Sequence, residues 1–314
     1  MRRTLNAISV GMNMKNSLRV LVWLIGVGCA AVAGAQSTAA GFPLRPVRLI
    51  VPNAAGGTTD LVARTVGQKL AEALGQQVIV DNRPGSGGII GTEAAAKSAP
   101  DGYTLLMGTI GNIAISPHLY RKLAYDPVRD FAPITQLAAA AYMLLTHPSL
   151  PVGSVRQLVA LAKAKPGHIN YGSAGSGTGS HLSAELFKSI SKIDIAHIPY
   201  KGGTPALIDV MAGHVQVMFN GIPSSMPHLK SGRIKALAVT TSSRSPAAPG
   251  VPTIAEAGFP GAESTSWTGV LAPTGTPAAI VSQLHGAVVK VLHSPDVKTR
   301  LSADGAVPVG SSPG

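Results

Sequence analysis

Cysteine is nearly missing from this sequence. The single one, Cys29, sits in an apolar run near the N-terminus, so the remainder of the chain has neither a disulfide nor a thiolate zinc site to brace it. Aromatic residues make up 4% and charged residues 13%, against 45% hydrophobic. So little charge excludes a coiled coil, and so much apolar content excludes a disordered chain. Acids are scarcer than bases, 14 against 26, for a formal charge of +12. The cations are scattered without runs and few aromatics interleave them, so a nucleic-acid surface is not expected. A solvated basic surface that attracts anions fits better. No segment recurs at a period of 20–50 residues, which excludes a solenoid or propeller. Glycine (36) and proline (24) are abundant instead, as many short elements joined by tight loops require, and 314 residues can bury two cores.

The N-terminus reads as an export signal. Arg2, Arg3, Lys15 and Arg19 precede an uncharged apolar run from Val20 to Ala33, and Ala33-Gly34-Ala35 has the small-x-small pattern of a signal-peptidase site. The run is short for spanning about 30 Å of hydrocarbon. Residues 1–35 are therefore expected to be a cleaved leader, with Met12 and Met14 as alternative starts. A lipid anchor on Cys29 would call for a Leu-like residue where Gly26 stands, and Arg2-Arg3 lies far from the apolar run for a twin-arginine signal. Cleavage removes four cations and no anions, so the charge falls from +12 to +8.

Beyond the leader, strand and helix patterns alternate. Pro46–Val51 is a β-branched run followed by the small-residue loop from Asn53 to Asp60. Leu61, Val62, Val66, Leu70 and Leu74 then recur at helical spacing up to Gly75. Strands are predicted at Gln77–Val80 and Tyr103–Met107, with a short Ala-rich helix between them, giving the β-α-β-α-β order of a mostly parallel sheet. The second half repeats this grammar. Ser154 caps a helix to Lys165, Ile169–Gly172 is a strand, and residues 173–180 form a second glycine-rich loop ahead of a helix from His181. Further strands fall at Ile195–Pro199, Val215–Phe219 and Ile234–Thr240. A helix opens at Gly203-Thr204-Pro205, and a long one after Thr276-Pro277 carries Ile280, Leu284, Val288 and Leu292 on one face. Ile134–Thr146 reads as an extended segment crossing between the halves.

Each half thus holds a strand–glycine loop–helix corner. A helix N-terminus presents unpaired N–H groups and about half a positive charge, and small residues let a ligand approach that backbone. Two such corners facing across a cleft could grip an anion, although tight βα turns occur in every α/β protein. Enzyme motifs are missing from these loops. Neither Ser173 nor Ser176 sits in G-x-S-x-G, no G-K-[ST] follows either loop, and no acid follows the strand ending at Pro199 to hold a ribose. His181 and Glu185 share a helix face without forming H-E-x-x-H. Asp126 and Asp130 bracket a turn rather than form an acid/base pair.

Taken in order, a longer set of motifs resembles a known family. These are Val51-Pro52 through Gly56-Gly57 to Asp60, Asp81-Asn82-Arg83-Pro84-Gly85, Pro100-Asp101-Gly102-Tyr103-Thr104, Asp126-Pro127 with Asp130-Phe131, Tyr171-Gly172-Ser173 to His181-Leu182, Pro199-Tyr200-Lys201-Gly202, Val251-Pro252-Thr253 and Trp267-Thr268-Gly269. Together they resemble the substrate-binding proteins of tripartite tricarboxylate transporters, the Bug receptors, over nearly the whole mature chain. The resemblance implies an α/β fold of the type II periplasmic-binding-protein kind, two α/β lobes joined by crossing strands with a ligand cleft between them. The expected segments are 36–140 for the first part of lobe I, 141–241 for lobe II and 242–314 for the rest of lobe I, without the final helix of relatives. It implies a periplasmic monomer that holds a small carboxylate, catalyses nothing, needs no cofactor or metal and hands its ligand to membrane permease subunits; a sensor signalling to a membrane kinase is the alternative, and an enzyme on the same fold a more distant one. The implied ligand positions are Ala55, Gly56, Gly57, Thr58 and Asp60 in one lobe and Ser173, Gly175, Gly177, Thr178 and His181 in the other. Asn220 joins them, standing where relatives commonly place Asp after Phe.

Overall fold

The computed structural model describes residues 41–303 and 305–313, so the expected leader and its cleavage site lie outside the described residues. Among the described residues no helix is long and apolar enough to cross a membrane.

The first half builds a sheet from β1 (Val47–Val51), β2 (Val78–Asn82) and β3 (Thr104–Thr109), with β1 parallel to both neighbours. Both faces of β1 are covered, as its unbroken apolar run requires. Val47, Leu49 and Val51 pack beneath α1 (Thr58–Leu74), α8 (Ala278–Leu292) and α9 (Pro295–Ala303), whereas Ile50 faces Ala95 of α2 (Ile89–Ala96) and Phe131. The stripe Ile280, Leu284, Val288 and Leu292 is buried as its spacing demands.

The second half repeats the plan with β5 (Asn170–Ser173) parallel to β6 (Ala196–Pro199) and to β7 (Val217–Gly221). α4 (Val155–Ala164) and α5 (Gly179–Ser191) cover the face that holds Leu144, Tyr171 and Phe219. α6 (Gly203–Ala212) and α7 (Ile222–Lys230) cover the face that holds Met143, Leu145 and Met218. Ser154 caps α4 as expected, its hydroxyl accepting from the Gln157 N–H at 3.2 Å.

One long strand joins the two sheets. β4 (Phe131–Thr146) pairs along residues 131–141 with β9 (Thr265–Pro273), then along Tyr142–Thr146 with β7 and along Met143–Thr146 with β8 (Lys235–Val239). β9 also pairs with β3, and the short β10 (Ala306–Pro308) lies on Ala138–Ala140. This is the two-lobed type II arrangement with crossing strands. Residues 247–262 send Ala248, Ile254 and Ala262 into the cores of the second sheet, although the sequence reading placed them in the returning part of the first lobe. Six features have no counterpart in the sequence pattern: β9, α7, α9, β10, the wide π-type turn Ile110–Ile115 after β3, and the one-turn helix α3 (Ser116–Leu119) that follows it.

Candidate functional site

Parallel strands deliver the N-termini of the helices that follow them to one edge of a sheet. Here both sheets aim that edge at each other. α1 begins after cap residue Gly57, α5 after Thr178, α6 after Gly202 and α7 after Gly221. The first residues or caps of all four helices line one partly open cavity of about 80 Å³: Gly57 and Thr58 from the first lobe, Thr178, Gly179, Gly203 and Gly221 from the second. The turn Thr109–Gly111 closes one side, and Ala138, Ala140 and Trp267 from the crossing strands form the floor.

Among the described residues, no Asp, Glu, Lys, Arg or His lines the cavity. Its polarity comes from backbone N–H groups and from uncharged polar side chains, among them those of Thr58, Thr59, Ser180, Asn220, Ser266 and Thr268. Two of the lining residues, Asn53 and Thr268, also carry a buried side-chain oxygen (Oδ1 and Oγ1) with no hydrogen-bond partner. A buried polar atom left unpaired costs about 1–3 kcal/mol. Burial raises the pKa of the Tyr142 phenol, so this lining hydroxyl stays a neutral donor.

Of the positions expected from sequence, Gly57, Thr58, Thr178 and Asn220 reach the cavity; Ala55, Gly56, Asp60, Ser173, Gly175, Gly177 and His181 do not. Several of these tie the loops from behind. Asp60 is 2% exposed: its Oδ2 accepts from the Gly56 N–H at 2.8 Å and from Arg64 Nε at 2.9 Å, and its Oδ1 accepts from Asn82 Nδ2 at 2.9 Å. Burial alone would raise its pKa, but these donors outweigh it and hold the carboxyl below its usual range. In the second lobe, Ser173 Oγ accepts from the Gly175 N–H at 3.1 Å and bonds His197 Nε2 at 2.6 Å, while His181 Nδ1 accepts from the Gly177 N–H at 3.3 Å. The Asn220 amide donates to Ser224 Oγ and Ser225 Oγ, both at 2.9 Å.

Ala55 and Gly177 lie on the seam where the lobes meet around the cavity. Thr204 Oγ1 donates to the Ala55 carbonyl at 2.8 Å, and Thr58 Oγ1 meets Ser224 Oγ at 3.1 Å. Gly177 has φ +78°, a backbone that side-chain-bearing residues rarely adopt, and a Cβ there would sit 2.9 Å from the end of the exposed Leu119 side chain of the other lobe. Sequence reasoning missed Thr109–Gly111 and Ser266–Thr268 as cavity residues, although Trp267-Thr268-Gly269 was already conspicuous as a motif.

Residues 62–312 match the family described as the tripartite tricarboxylate transporter family receptor. BugT of Bordetella pertussis is 38% identical over 304 residues, covering 96% of this chain and 92% of BugT. Two solved structures from Rhodopseudomonas palustris superpose closely. One, a protein with adipate, has a TM-score of 0.85 at 43% identity and covers 87% of this chain and 91% of its own. The other, MatC with bound malate, has a TM-score of 0.81 at 38% identity and covers 85% and 90%. With this fold, this cavity and these matches, the chain belongs to the tripartite tricarboxylate transporter receptor family.

Proposed function

We propose that this protein captures a small organic carboxylate outside the cytoplasm and passes it, chemically unchanged, to the membrane subunits of a tripartite tricarboxylate-type transporter. The observation that carries this reading is the convergence of four helix N-termini on a cavity lined by no charged side chain. Each N-terminus favours an anion by about 0.3–1 kcal/mol at an exposed site and up to about 2 kcal/mol where partly buried. Charge-assisted hydrogen bonds from N–H and hydroxyl groups add about 1.5–3 kcal/mol each. The two lobes supply these donors jointly, so the anion is fully solvated by protein only when the cleft is shut. That differential affinity is what lets a ligand drive closure, and a shift from 1:99 to 99:1 needs about 5.5 kcal/mol of it. The same donors hold the ground state evenly, with no carboxylate, imidazole or amine in the described lining to serve as a base. Adipate and malate on the two relatives support a dicarboxylate.

Calorimetry against a panel of mono-, di- and tricarboxylates tests the binding step, with micromolar or tighter affinity expected for at least one dicarboxylate and none for its diamide. Uptake of that acid by cells with and without the chain tests delivery. Failure of every acid in the panel, or recovery of a converted product, would overturn the reading.

A further inference from the structure

Behind the second-lobe loop stands a column of three stacked rings for which ligand binding alone gives no role. Tyr171 of β5 packs nearly flat on His197 of β6, with centroids 4.8 Å apart and planes 15° from parallel; His197 packs on His181 of α5 at 4.3 Å and 26°. Neither imidazole lines the cavity. Both are tied to the loop that does: His181 through the Gly177 N–H, His197 through Ser173 Oγ, which also receives the Gly175 N–H. That loop presents Thr178, Gly179 and Ser180 to the cavity. It also meets the first lobe, where Tyr120 OH donates to the Ser176 carbonyl at 3.5 Å.

The geometry requires a neutral His181. A backbone N–H only donates, so His181 Nδ1 must keep its lone pair and carry its proton on Nε2. Protonation would turn that acceptor into a donor facing the Gly177 N–H. A cation in the first turn of α5 also opposes the helix dipole, and two charged rings at stacking distance repel. Of the other groups facing the pair, the Glu185 carboxylate favours an imidazolium and Lys188 opposes it. From α5, Glu185 is engaged by Lys188 Nζ at 2.9 Å and by the Tyr171 hydroxyl of β5; the loop between Ser173 and Thr178 carries no charge.

From this arrangement we infer that the His181–His197 stack is a proton-operated latch on the second-lobe binding loop. With His181 neutral the loop holds its donors at the cavity; protonation of His181, whose Nδ1 then loses the Gly177 N–H, releases the loop and weakens ligand binding. The inference rests on the carboxylate reading above. Burial is the largest cause lowering both imidazole pKa values, and the neighbouring His181 and Lys188 push His197 further, down to about 4. A released loop frees these rings to titrate nearer about 6.5. Acid therefore favours the released state, and the latch weakens as pH falls below about 6.5.

The test compares the protein with the double variant His181→Asn/His197→Gln, which cannot titrate in this range. Asn Oδ1 branches from Cγ as Nδ1 does and keeps an acceptor for Gly177. Adipate affinity is measured by calorimetry at about pH 7.5 and about pH 5. The ligand's own titration is common to both proteins, so the ratio of their losses reports the latch. The wild type should lose about tenfold more affinity than the variant, one decade per pKa unit of differential protonation. Equal losses would overturn the inference. A second arm needs no ligand: amide-exchange protection at Gly175 and Gly177 should fall on acidification in the wild type and stay level in the variant, and equal behaviour would overturn it too. If neither adipate nor any other acid of the panel binds at either pH, the carboxylate reading fails while the exchange arm still decides the latch. If the double variant does not fold, His181→Asn alone carries both arms, with the Gly177 amide as the readout.

Discussion

Replacing Gly57 with aspartate puts an anion where the account places the ligand's carboxylate, at a position that tolerates it. Gly57 caps α1 with φ −78° and ψ 166°, a backbone open to any residue, and makes no side-chain cap bond. A Cβ there would lie 3.3 Å from the Ala54 carbonyl and 3.7 Å from Thr204 Oγ1, tight contacts but not overlaps. Aspartate is among the preferred N-cap residues, so Gly57→Asp should leave folding stability within about 1 kcal/mol. Its carboxylate would accept from the first-turn N–H groups that the ligand needs. Two unit charges about 4 Å apart repel by about 4 kcal/mol at an effective dielectric near 20, which is about a thousandfold in Kd. Gly57→Asn has the same shape and capping preference without the charge, so it should cost no more than about tenfold, and the gap between the two variants isolates electrostatics from sterics. Calorimetry with the acid chosen from the panel, alongside thermal melts of each protein, reads both quantities. A folded Gly57→Asp protein that binds as tightly as the wild type would refute the placement of the anion on α1.

Other consequences follow from the seam and the loop anchors. A Cβ at Gly221 would overlap the Thr58 side chain across the cleft, so Gly221→Ala should leave both lobes folded yet weaken binding by about tenfold or more; small-angle scattering should show a ligand-saturated particle less compact than the wild type. Asp60→Ala strips partners from the Gly56 N–H, Arg64 and Asn82, and should cost about 2–3 kcal/mol in urea denaturation, discounted for the half-exposed Arg64. Because the Asp60 carboxyl titrates lower in the folded chain than the ordinary 3.8, its contribution is complete above that value and disappears as pH falls through the folded pKa. Leu284→Ala, at a fully buried position of α8 remote from the cavity, should cost about 2–5 kcal/mol of stability without changing affinity at temperatures where the protein stays folded.

The elements legible in the sequence were those whose own residues carry the period. The 3.6-residue stripe of Ile280, Leu284, Val288 and Leu292 and the doubly buried run of β1 are set locally, so reading them needs no partner. β9 was hidden because its first residues, Thr265 to Thr268, are polar or lie at the cavity; only its pairing with β3 and β4 makes it a strand. α7 carries Pro223 and Pro227, which read as breakers, although the first falls in the opening turn where proline is tolerated. The site divides in a similar way. Glycine and capping residues marked the two loops and put Gly57, Thr58 and Thr178 at the cavity. They could not show which loop side chains face inward, because Asp60 and His181 are turned away by partners distant in sequence, Asn82 and His197. The floor of Ala138, Ala140 and Trp267 exists only once the crossing strands are placed.

The central claim is that one anion is held at once by helix N-termini from both lobes. The most direct measurement is an amide nitrogen–proton NMR titration of the assigned protein with the dicarboxylate selected by calorimetry. The largest shifts should fall together, with one saturation curve, on Thr58 and Thr59 at the start of α1 and on Gly179 and Ser180 at the start of α5. Shifts confined to one lobe, or centred on residues away from these helix starts, would contradict the account.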